Sequence, residues 1–402
     1  MVDAKTTITR TFEYKLRTNK KFIAACEREL EHSRQIYNAA LEERISAYRV
    51  AGRSLNFVAQ SRSLTEARTL PEVKAHLRTI QSDALERVEE AYQAFFRRLQ
   101  RGEKPGFPRF KGRMRYHTFA QKYEVQRQSP LTGDKLKIPG VGTCRVRLSR
   151  PVEGRIKQIR ITRRASGWFA LLVCEMAKPE PLPKTGKETG VDVGLKTFAT
   201  LSHGEPIENP RTLQKAEAKL KKLSRRLSRK NRGSQRRDKQ RRKVARAHLK
   251  VARTRKDFLH QTTTKLVREY DGLTVEKLNI RGMVRNRHLA KAISDVSWGT
   301  FFRMLREKAE RAGREFTAVN PRYTSQTCAR CGERKPMPLE VRMYECERCG
   351  HRADRDQNAA ENIRMAGQAK SQARGDCAPE AHRRSGNAKA RVHRRHPGWG
   401  RD

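Results

Sequence analysis

The sequence predicts a mixed α/β protein built from a small β-domain interrupted by helices and an open α/β sheet interrupted by a compact cysteine module. Three observations carry that prediction. Short alternating strands lie on either side of a helical stretch in the N-terminal half. Two apolar strands, within 188–201 and 270–280, each bring an acid forward. Two C-x-x-C pairs, Cys328/Cys331 and Cys346/Cys349, follow near the C-terminus. A chain of 402 residues is long enough for two or three such domains with real cores.

Residues 6–16 alternate as a strand does. Ile80, Ala84, Val88, Tyr92, Phe95 and Phe96 recur at helical spacing and predict a helix over 72–100. The prolines and glycines of "RGEKPGFPRFKGRMRYHTF" cannot continue it. Over 116–177, "KLKIPGVGTCRVRL", "RIKQIRITRR" and "GWFALLVCEM" read as short strands. A β-domain of 1–18 and 105–180, with the helices of 19–104 inserted, accounts for all of these. "AKPEPLPKTGKE" reads as the linker out of it.

Charge narrows the partner. The formal net charge of +48 exceeds what solubility needs, and the basic residues run through most of the chain. Such self-repulsion asks for a polyanion, and nucleic acid supplies one through many phosphate contacts. An anionic membrane surface is the competitor, but no apolar run reaches about 18 residues. The polar start "MVDAKTTITRTFEY" reads as a strand rather than a signal peptide, so a cytoplasmic protein is expected. Isolated Cys26, Cys144, Cys174 and Cys377 fit a reducing compartment. Residues 211–257 carry 21 Lys or Arg against 3 acids. Leu213, Ala216, Leu220, Leu223 and Leu227 form one apolar stripe there, and Val244, Ala247 and Val251 another, which predicts a basic helical hairpin turning at "RKNRGSQRR". The tail after Gly367 lacks a core pattern.

Three acids are candidate metal ligands. "ETGVDVGLKTFATL" as a strand puts Gly190, Asp192, Gly194 and Lys196 on one face. Asp192 then stands between two positions without side chains, leaving room for a metal ion and a phosphate, with Lys196 beside them. The second strand, "YDGLTVEKLNI", ends at Glu276, where open α/β sheets gather ligand groups. In "DRDQNAAENI", Ala359, Ala360 and Ile363 suit one helical face. The helix then begins near 356 with acids at its positive end. Asp356 is the chosen third ligand and Asp354 the alternative. Converging carboxylates suit Mg²⁺, or Mn²⁺, and two-metal phosphodiester hydrolysis.

The cysteines ask for a different ion. Cys328-x-x-Cys331 and Cys346-x-x-Cys349, with a glycine after each pair, have the spacing of zinc knuckles. Four thiolates complete a tetrahedron, so Zn²⁺ here is structural. His351 is a possible competing ligand that nothing in the spacing requires.

The G-x-D-x-G strand, the V-E-x-L strand end and the C-x-x-C…C-x-x-C module leading into D-R-D-x-N-A-A-x-N-I, in that order, resemble the TnpB (OrfB) family. Its members are transposon-encoded RNA-guided DNA endonucleases, similar to small type V CRISPR effectors. "SWGTFFRMLREKAERAG", "NPRYTSQTCARCG", "GFPRFKGR" and "IYNAALEER" add to the likeness, which covers about residues 5–367. The resemblance implies an RNase H-like RuvC nuclease domain over 181–325 and 352–367, carrying the hairpin 211–257. It implies a zinc ribbon over 326–351, a wedge-type β-barrel with an inserted helical recognition domain, and a disordered basic tail over 368–402. Asp192, Glu276 and Asp356 would be the catalytic triad. Partners would be a guide RNA from the transposon end and double-stranded target DNA beside a short adjacent motif, with one monomer per RNA. Gln81 matches a family position near that motif and would read an adenine edge, while His76 stands where the family more often shows a basic residue. Two other readings compete. A catalytically silent RNA-guided repressor should have lost an acid, and all three stand here; a RuvC-type resolvase or transposase should lack the large helical insertion and the ribbon.

Overall fold

The structure, a computed structural model, describes residues 7–123, 129–338 and 340–375. They form two units: residues up to Glu180 together with Thr212–Asp257, and Pro181–Arg211 together with the residues from Phe258 onward.

The first unit is a seven-stranded antiparallel sheet with helices packed against it. Strand β1 (Thr7–Arg17) leads into α1 (Lys20–Ala51), α2 (Phe57–Ala67), α3 (Pro71–Lys74) and α4 (Arg78–Gln100). Then come β2 (Thr118–Lys122), β3 (Leu131–Thr132), β4 (Lys135–Ile138), β5 (Gly142–Arg147), β6 (Arg155–Arg164) and β7 (Gly167–Ala177). The order is β2-β6-β7-β1-β5-β4-β3. Because β1 lies between β7 and β5, the four helices are an excursion from a sheet that the chain leaves and rejoins. Among the described residues no ladder joins β2 to β3. The helix expected over 72–100 is split at Ala75–Leu77, and the long amphipathic part starts at Arg78. Phe12, Tyr14, Ile161 and Leu172 of the sheet share one core with Leu30 and Leu41 of α1 and Ile80 and Val88 of α4.

The basic hairpin consists of α5 (Thr212–Ser228) and α6 (Gln235–Glu269), the latter running past the end expected at 257. It was expected to belong to the nuclease domain, yet up to Asp257 it falls in the first unit. In that unit Arg246 Nε donates to the Ala165 carbonyl at 3.3 Å and Arg253 to Ser166 Oγ at 3.1 Å, with the Arg253 guanidinium over the Phe169 ring.

The second unit is a five-stranded sheet of order β10-β9-β8-β11-β12. Its strands are β8 (Glu188–Val193), β9 (Thr197–Leu201), β10 (Pro206–Glu208), β11 (Gly272–Glu276) and β12 (Glu315–Val319). Strands β8, β11 and β12 run parallel, and the β8–β9–β10 meander is antiparallel. Between β11 and β12 lie α7 (Ile280–Met283), α8 (Ala290–Val296) and α9 (Trp298–Arg311). After β12 come the hairpin β13 (Met343–Glu345) and β14 (Arg352–Asp354), then α10 (Arg355–Gly375). Helix α10 thus runs on beyond 368, where the tail was expected to begin; the rest of that tail, with Cys377, lies outside the described residues.

Strand alternation sorts the two faces. Val191, Leu273 and Val275 join Leu259 and Leu266 of α6 and Phe301 and Leu305 of α9 in one core. Their neighbours Gly190 and Thr274, paired in register, turn the other way, toward α10. There the approach is closer than side chains allow. A Cβ on Gly190 would lie 1.9 Å from the Ala360 carbonyl oxygen, and one on Gly367 would lie 2.0 Å from Thr274 Oγ1. Both glycines are therefore requirements of helix-on-sheet packing. Gly190→Ala or Gly367→Ala is expected to destabilise the second unit by about 3 kcal/mol, since the first would meet helix backbone and the second the Thr274 side chain down to its Cβ, at 2.9 Å. Gly112→Ala, which meets nothing within 4 Å, is the control. Chemical denaturation monitored by hydrogen exchange of α10 checks this, and wild-type protection in Gly190→Ala would contradict it.

Candidate active site

The register of the parallel strands places the first two acids. Gly190 pairs with Thr274 and Val191 with Val275, so Asp192 and Glu276 occupy the next positions at the strand ends. By alternation both face α10. That helix supplies the third acid, Asp356, in its first turn. Asp354 plays a different part. It is exposed, and its Oδ1 accepts the N–H groups of Asp356 at 2.8 Å and Gln357 at 3.3 Å. It is a helix cap, and capping turns its carboxylate to its own backbone.

The carboxylate oxygens of Asp192, Glu276 and Asp356 do not all lie within 4.8 Å of one another, yet the charges of the other two both act on Asp192. Dense packing around Asp192 holds its carboxyl well above the usual range, and the charges of Glu276 and then Asp356 raise it further. Burial raises Glu276 too, opposed by a hydrogen bond from Thr324. Asp356 is raised by burial and by Asp354, against the lowering pull of Arg342, Arg355 and Lys196. Arg342 Nη1 lies 3.9 Å from Asp356 Oδ1. Three acids raised by burial, with Asp192 raised further by the other two, fit hard divalent cations, whose charge would offset both.

Two expected details differ. The gap beside Asp192 is not open: α10 fills the space over Gly190, and Gly194 serves a tight turn in which a Cβ would lie 2.8 Å from the Thr197 carbonyl oxygen. Strand β8 ends at Val193, so Lys196 sits exposed in the hairpin turn instead of on the strand face, with its charge reaching Asp356. Gln81 is a plainer correction. It is fully buried in the first unit, donating from Nε2 to the Val73 carbonyl at 2.8 Å and meeting His32 Nε2 at 2.8 Å, while Arg68 donates to its Oε1. Its amide is used internally and offers no edge to a base. His76 stacks on His32 and meets Glu29.

The four cysteines form the group expected of them. The Sγ atoms of Cys328, Cys331, Cys346 and Cys349 lie within 4.8 Å of one another, and among the described residues no other group of three or more metal-ligating side chains does so. Each knuckle repeats one geometry. Gly332 N–H donates to the Cys328 carbonyl at 3.0 Å and Gly350 N–H to that of Cys346 at 2.9 Å, both glycines having positive φ. The backbone N–H of Cys349 draws the Cys346 thiol down to about 7. Cys331, despite the N–H of Glu333, is pushed up to about 12 by burial and the other sulfurs. Thiols sharing protons in this way fit a Zn²⁺ that displaces them. His351 gives only its carbonyl, accepting from Cys346 N–H at 2.9 Å.

Sequence reasoning assigned no role to Thr324, Asn358 and Asn362. Thr324 Oγ1 donates to Glu276 Oε1 at 2.6 Å. Buried Asn358 accepts from Ala329 N–H and donates to the Thr327 carbonyl, and Asn362 donates to the carbonyls of Thr324 and Thr327. Two asparagines four apart on one helix face are the signal that was available.

Two tests follow from this chemistry. One zinc per chain is expected by elemental analysis, and Cys346→Ser should lose it and open the segment 326–351 to protease. Protein free of metal yet resistant to protease would contradict that. The carboxylates give a pH signature. Asp192 holds its proton to higher pH when folded than the roughly 3.9 of an unfolded aspartate. Its contribution to stability is thus complete below that value and is lost as pH rises through the folded one. In chelator at pH 7.5, Asp192→Asn should therefore melt higher than wild type, by about 2–4 °C for each 1 kcal/mol relieved. The difference should vanish near pH 4. Equal melting at both pH values would show that the carboxylate is not strained.

Comparison with known proteins agrees with the sequence motifs. Residues 171–287 match the OrfB_IS605 family, described as "Probable transposase", and 298–363 match a "Cas12f1-like, TNB domain". Residues 6–53 match a "Helix-turn-helix domain", and within that range Thr7–Arg17 form strand β1 and Lys20–Ala51 the single long helix α1. A protein of Streptomyces pristinaespiralis named as an RNA-guided DNA endonuclease is 35% identical over 376 residues, covering 90% of each chain. InsQ of Escherichia coli (strain K12), named likewise, is 29% identical over 87% of this chain and 88% of its own. A TnpB-like protein of Acanthamoeba polyphaga mimivirus is 30% identical over 50% of this chain and 41% of its own. Among solved structures, a Cas12f1–sgRNA–target DNA complex matches 89% of this chain and 99% of that one, with 17% identity and a TM-score of 0.35. CRISPR-Cas_phi3 matches 90% and 92%, with 10% identity and a TM-score of 0.45. With a relative 35% identical along 90% of both chains and the family's own motifs in order, the chain belongs to the TnpB (OrfB) family.

Proposed function

We propose that the protein is an RNA-guided, metal-dependent DNA endonuclease whose second unit is an RNase H-like RuvC nuclease domain carrying a zinc ribbon. The observation that carries this reading is the meeting of Asp192, Glu276 and Asp356, from two parallel strand ends and a helix N-terminus, close enough for both other charges to act on Asp192. The relatives' names agree with it. The first unit is the wedge and recognition module, and its basic hairpin α5–α6 meets guide RNA from the transposon end. Double-stranded DNA beside a short adjacent motif is the target, and one monomer serves one RNA.

The three carboxylates would hold Mg²⁺ or Mn²⁺, which supply an activated water and neutralise the leaving oxygen. The chain's own residues do the rest. Asp192 and Glu276 are fixed by strand register, so their spacing does not depend on loop motion. Asp354 caps α10 and so sets where Asp356 starts. Lys196 and Arg342, the positive charges acting on Asp356, are placed to meet the phosphates of an entering strand. The silent-repressor reading lacks the missing acid that would favour it.

The test is cleavage of matched DNA by the RNA-loaded protein. Asp192→Ala, Glu276→Ala and Asp356→Ala should each slow cutting by about 10³-fold or more, with target binding retained because many basic contacts supply it. Asp354→Asn keeps the cap and should cut near the wild-type rate. Normal cutting by all three alanine variants would end the nuclease reading, and loss only in Asp354→Asn would exchange the third ligand.

A further inference from the structure

The contacts around Glu276 run beyond the carboxylates. Glu276 is buried to 9% exposure, and a carboxylate in that position has a side chain free to turn unless something fixes it. Thr324, in the loop between β12 and the first zinc knuckle, supplies the fixing contact at 2.6 Å. The same hydroxyl has a second acceptor in reach, the Pro321 carbonyl at 3.2 Å. It has one proton to give. The shorter, charged acceptor wins, since hydrogen bonds to ionised groups are roughly twice as strong as neutral ones.

The loop that carries Thr324 is itself held. Asn362 Nδ2 donates to the carbonyls of Thr324 at 2.8 Å and Thr327 at 2.6 Å. Asn358, 1% exposed, clamps the next stretch from both ends of its amide, accepting from Ala329 N–H at 3.0 Å and donating to the Thr327 carbonyl at 2.8 Å. Cys328 lies between those two anchor points. Both asparagines belong to α10, the helix that begins with Asp356. One helix thus carries the third carboxylate and holds the strap whose hydroxyl grips the second.

The geometry points to Thr324 as a positioning residue for the cleavage reaction: its hydroxyl, held by the Asn358 and Asn362 clamp beside the zinc knuckle, fixes the Glu276 carboxylate toward Asp192 and Asp356. This rests on the nuclease reading of the same three acids. The hydroxyl occupies one oxygen of Glu276 and leaves the other to the site. A loose carboxylate would bind a divalent ion with fewer of its orientations competent, so both ion affinity and rate should fall together.

Thr324→Val keeps the shape of the side chain and removes the donor, and Thr324→Ser restores it. In single-turnover cleavage by the RNA-loaded complex at saturating target, Thr324→Val is expected to cut about 10-fold more slowly or worse. It should also need severalfold more Mg²⁺ for half-maximal rate, with target affinity and melting temperature unchanged. Calorimetric Mn²⁺ titration of the same complex gives a readout apart from activity, with the Asp192→Ala complex as the blank for ions taken up by RNA. Thr324→Val should bind the site ion severalfold more weakly, and Thr324→Ser as wild type does. Wild-type rate and ion affinity in Thr324→Val would overturn the inference. So would failure of Thr324→Ser to rescue, or a fall in target affinity and melting temperature matching the fall in rate, which would mark a purely structural contact. Glu276→Ala keeps the two readings apart. If it is inactive while Thr324→Val is normal, only the positioning role fails; if Glu276→Ala cuts normally, the nuclease reading itself fails.

Discussion

The contact on which the second unit depends is the close seating of α10 on the sheet at two glycines. Gly190 of β8 lies under the Ala360 carbonyl, and Gly367 of the helix lies against Thr274 of β11. Ala359, Ala360 and Ile363 complete the buried face. Helix and sheet ordinarily keep a layer of side chains between them, and that layer allows small shifts. Here the Gly190 backbone meets helix backbone directly, and the Gly367 backbone meets the Thr274 side chain, with no room for a Cβ at either glycine. Everything positioned by the start of α10, Asp356 first, inherits that rigidity.

The same helix organises the cysteine module. Asn358 and Asn362 lie on the helix face that meets the loop before and through the first knuckle, and they satisfy backbone groups of Thr324, Thr327 and Ala329. The second knuckle leads through β14 into the helix, where Asp354 caps it. A small module with a core of little more than Met337, Tyr344 and the cysteines cannot hold its shape by apolar burial alone. Four cysteine sulfurs that fit zinc at one end and two asparagine clamps at the other stand in for the missing core. The acids stand at the meeting point of these constraints, where burial and mutual repulsion raise Asp192 at a cost to stability that the remaining packing must offset.

Much of this was legible in the sequence because it is local. Zinc knuckles need only a spacing and a glycine, and both are written within a few residues of each cysteine. Strand ends at Glu276 and the helix start near Asp356 follow from apolar periodicity and capping chemistry. A role set by something distant in the chain is not legible in this way. Gly190 was read as room for a ligand because its overlap partner, Ala360, is remote in sequence. Lys196 was placed on a strand because nothing nearby announces that β8 stops at Val193. Gln81 carries an amide suited to a base edge, and only the folded chain turns that amide onto His32, Val73 and Arg68.

By itself, then, the sequence determined the family, the charge that asks for a polyanion and the four cysteines whose sulfurs gather, since each is a matter of residue type and short spacing. Tertiary structure alone decided how the acids meet. Parallel register puts Asp192 and Glu276 at neighbouring strand ends, α10 packs over that face with Asp356 in its first turn, and Asp354 turns its carboxylate onto its own helix as a cap. It also decided that Thr324 grips Glu276, a pairing across 48 residues. Such contacts cannot be read from spacing because the chain makes them only when separate strands and a helix have already been brought together.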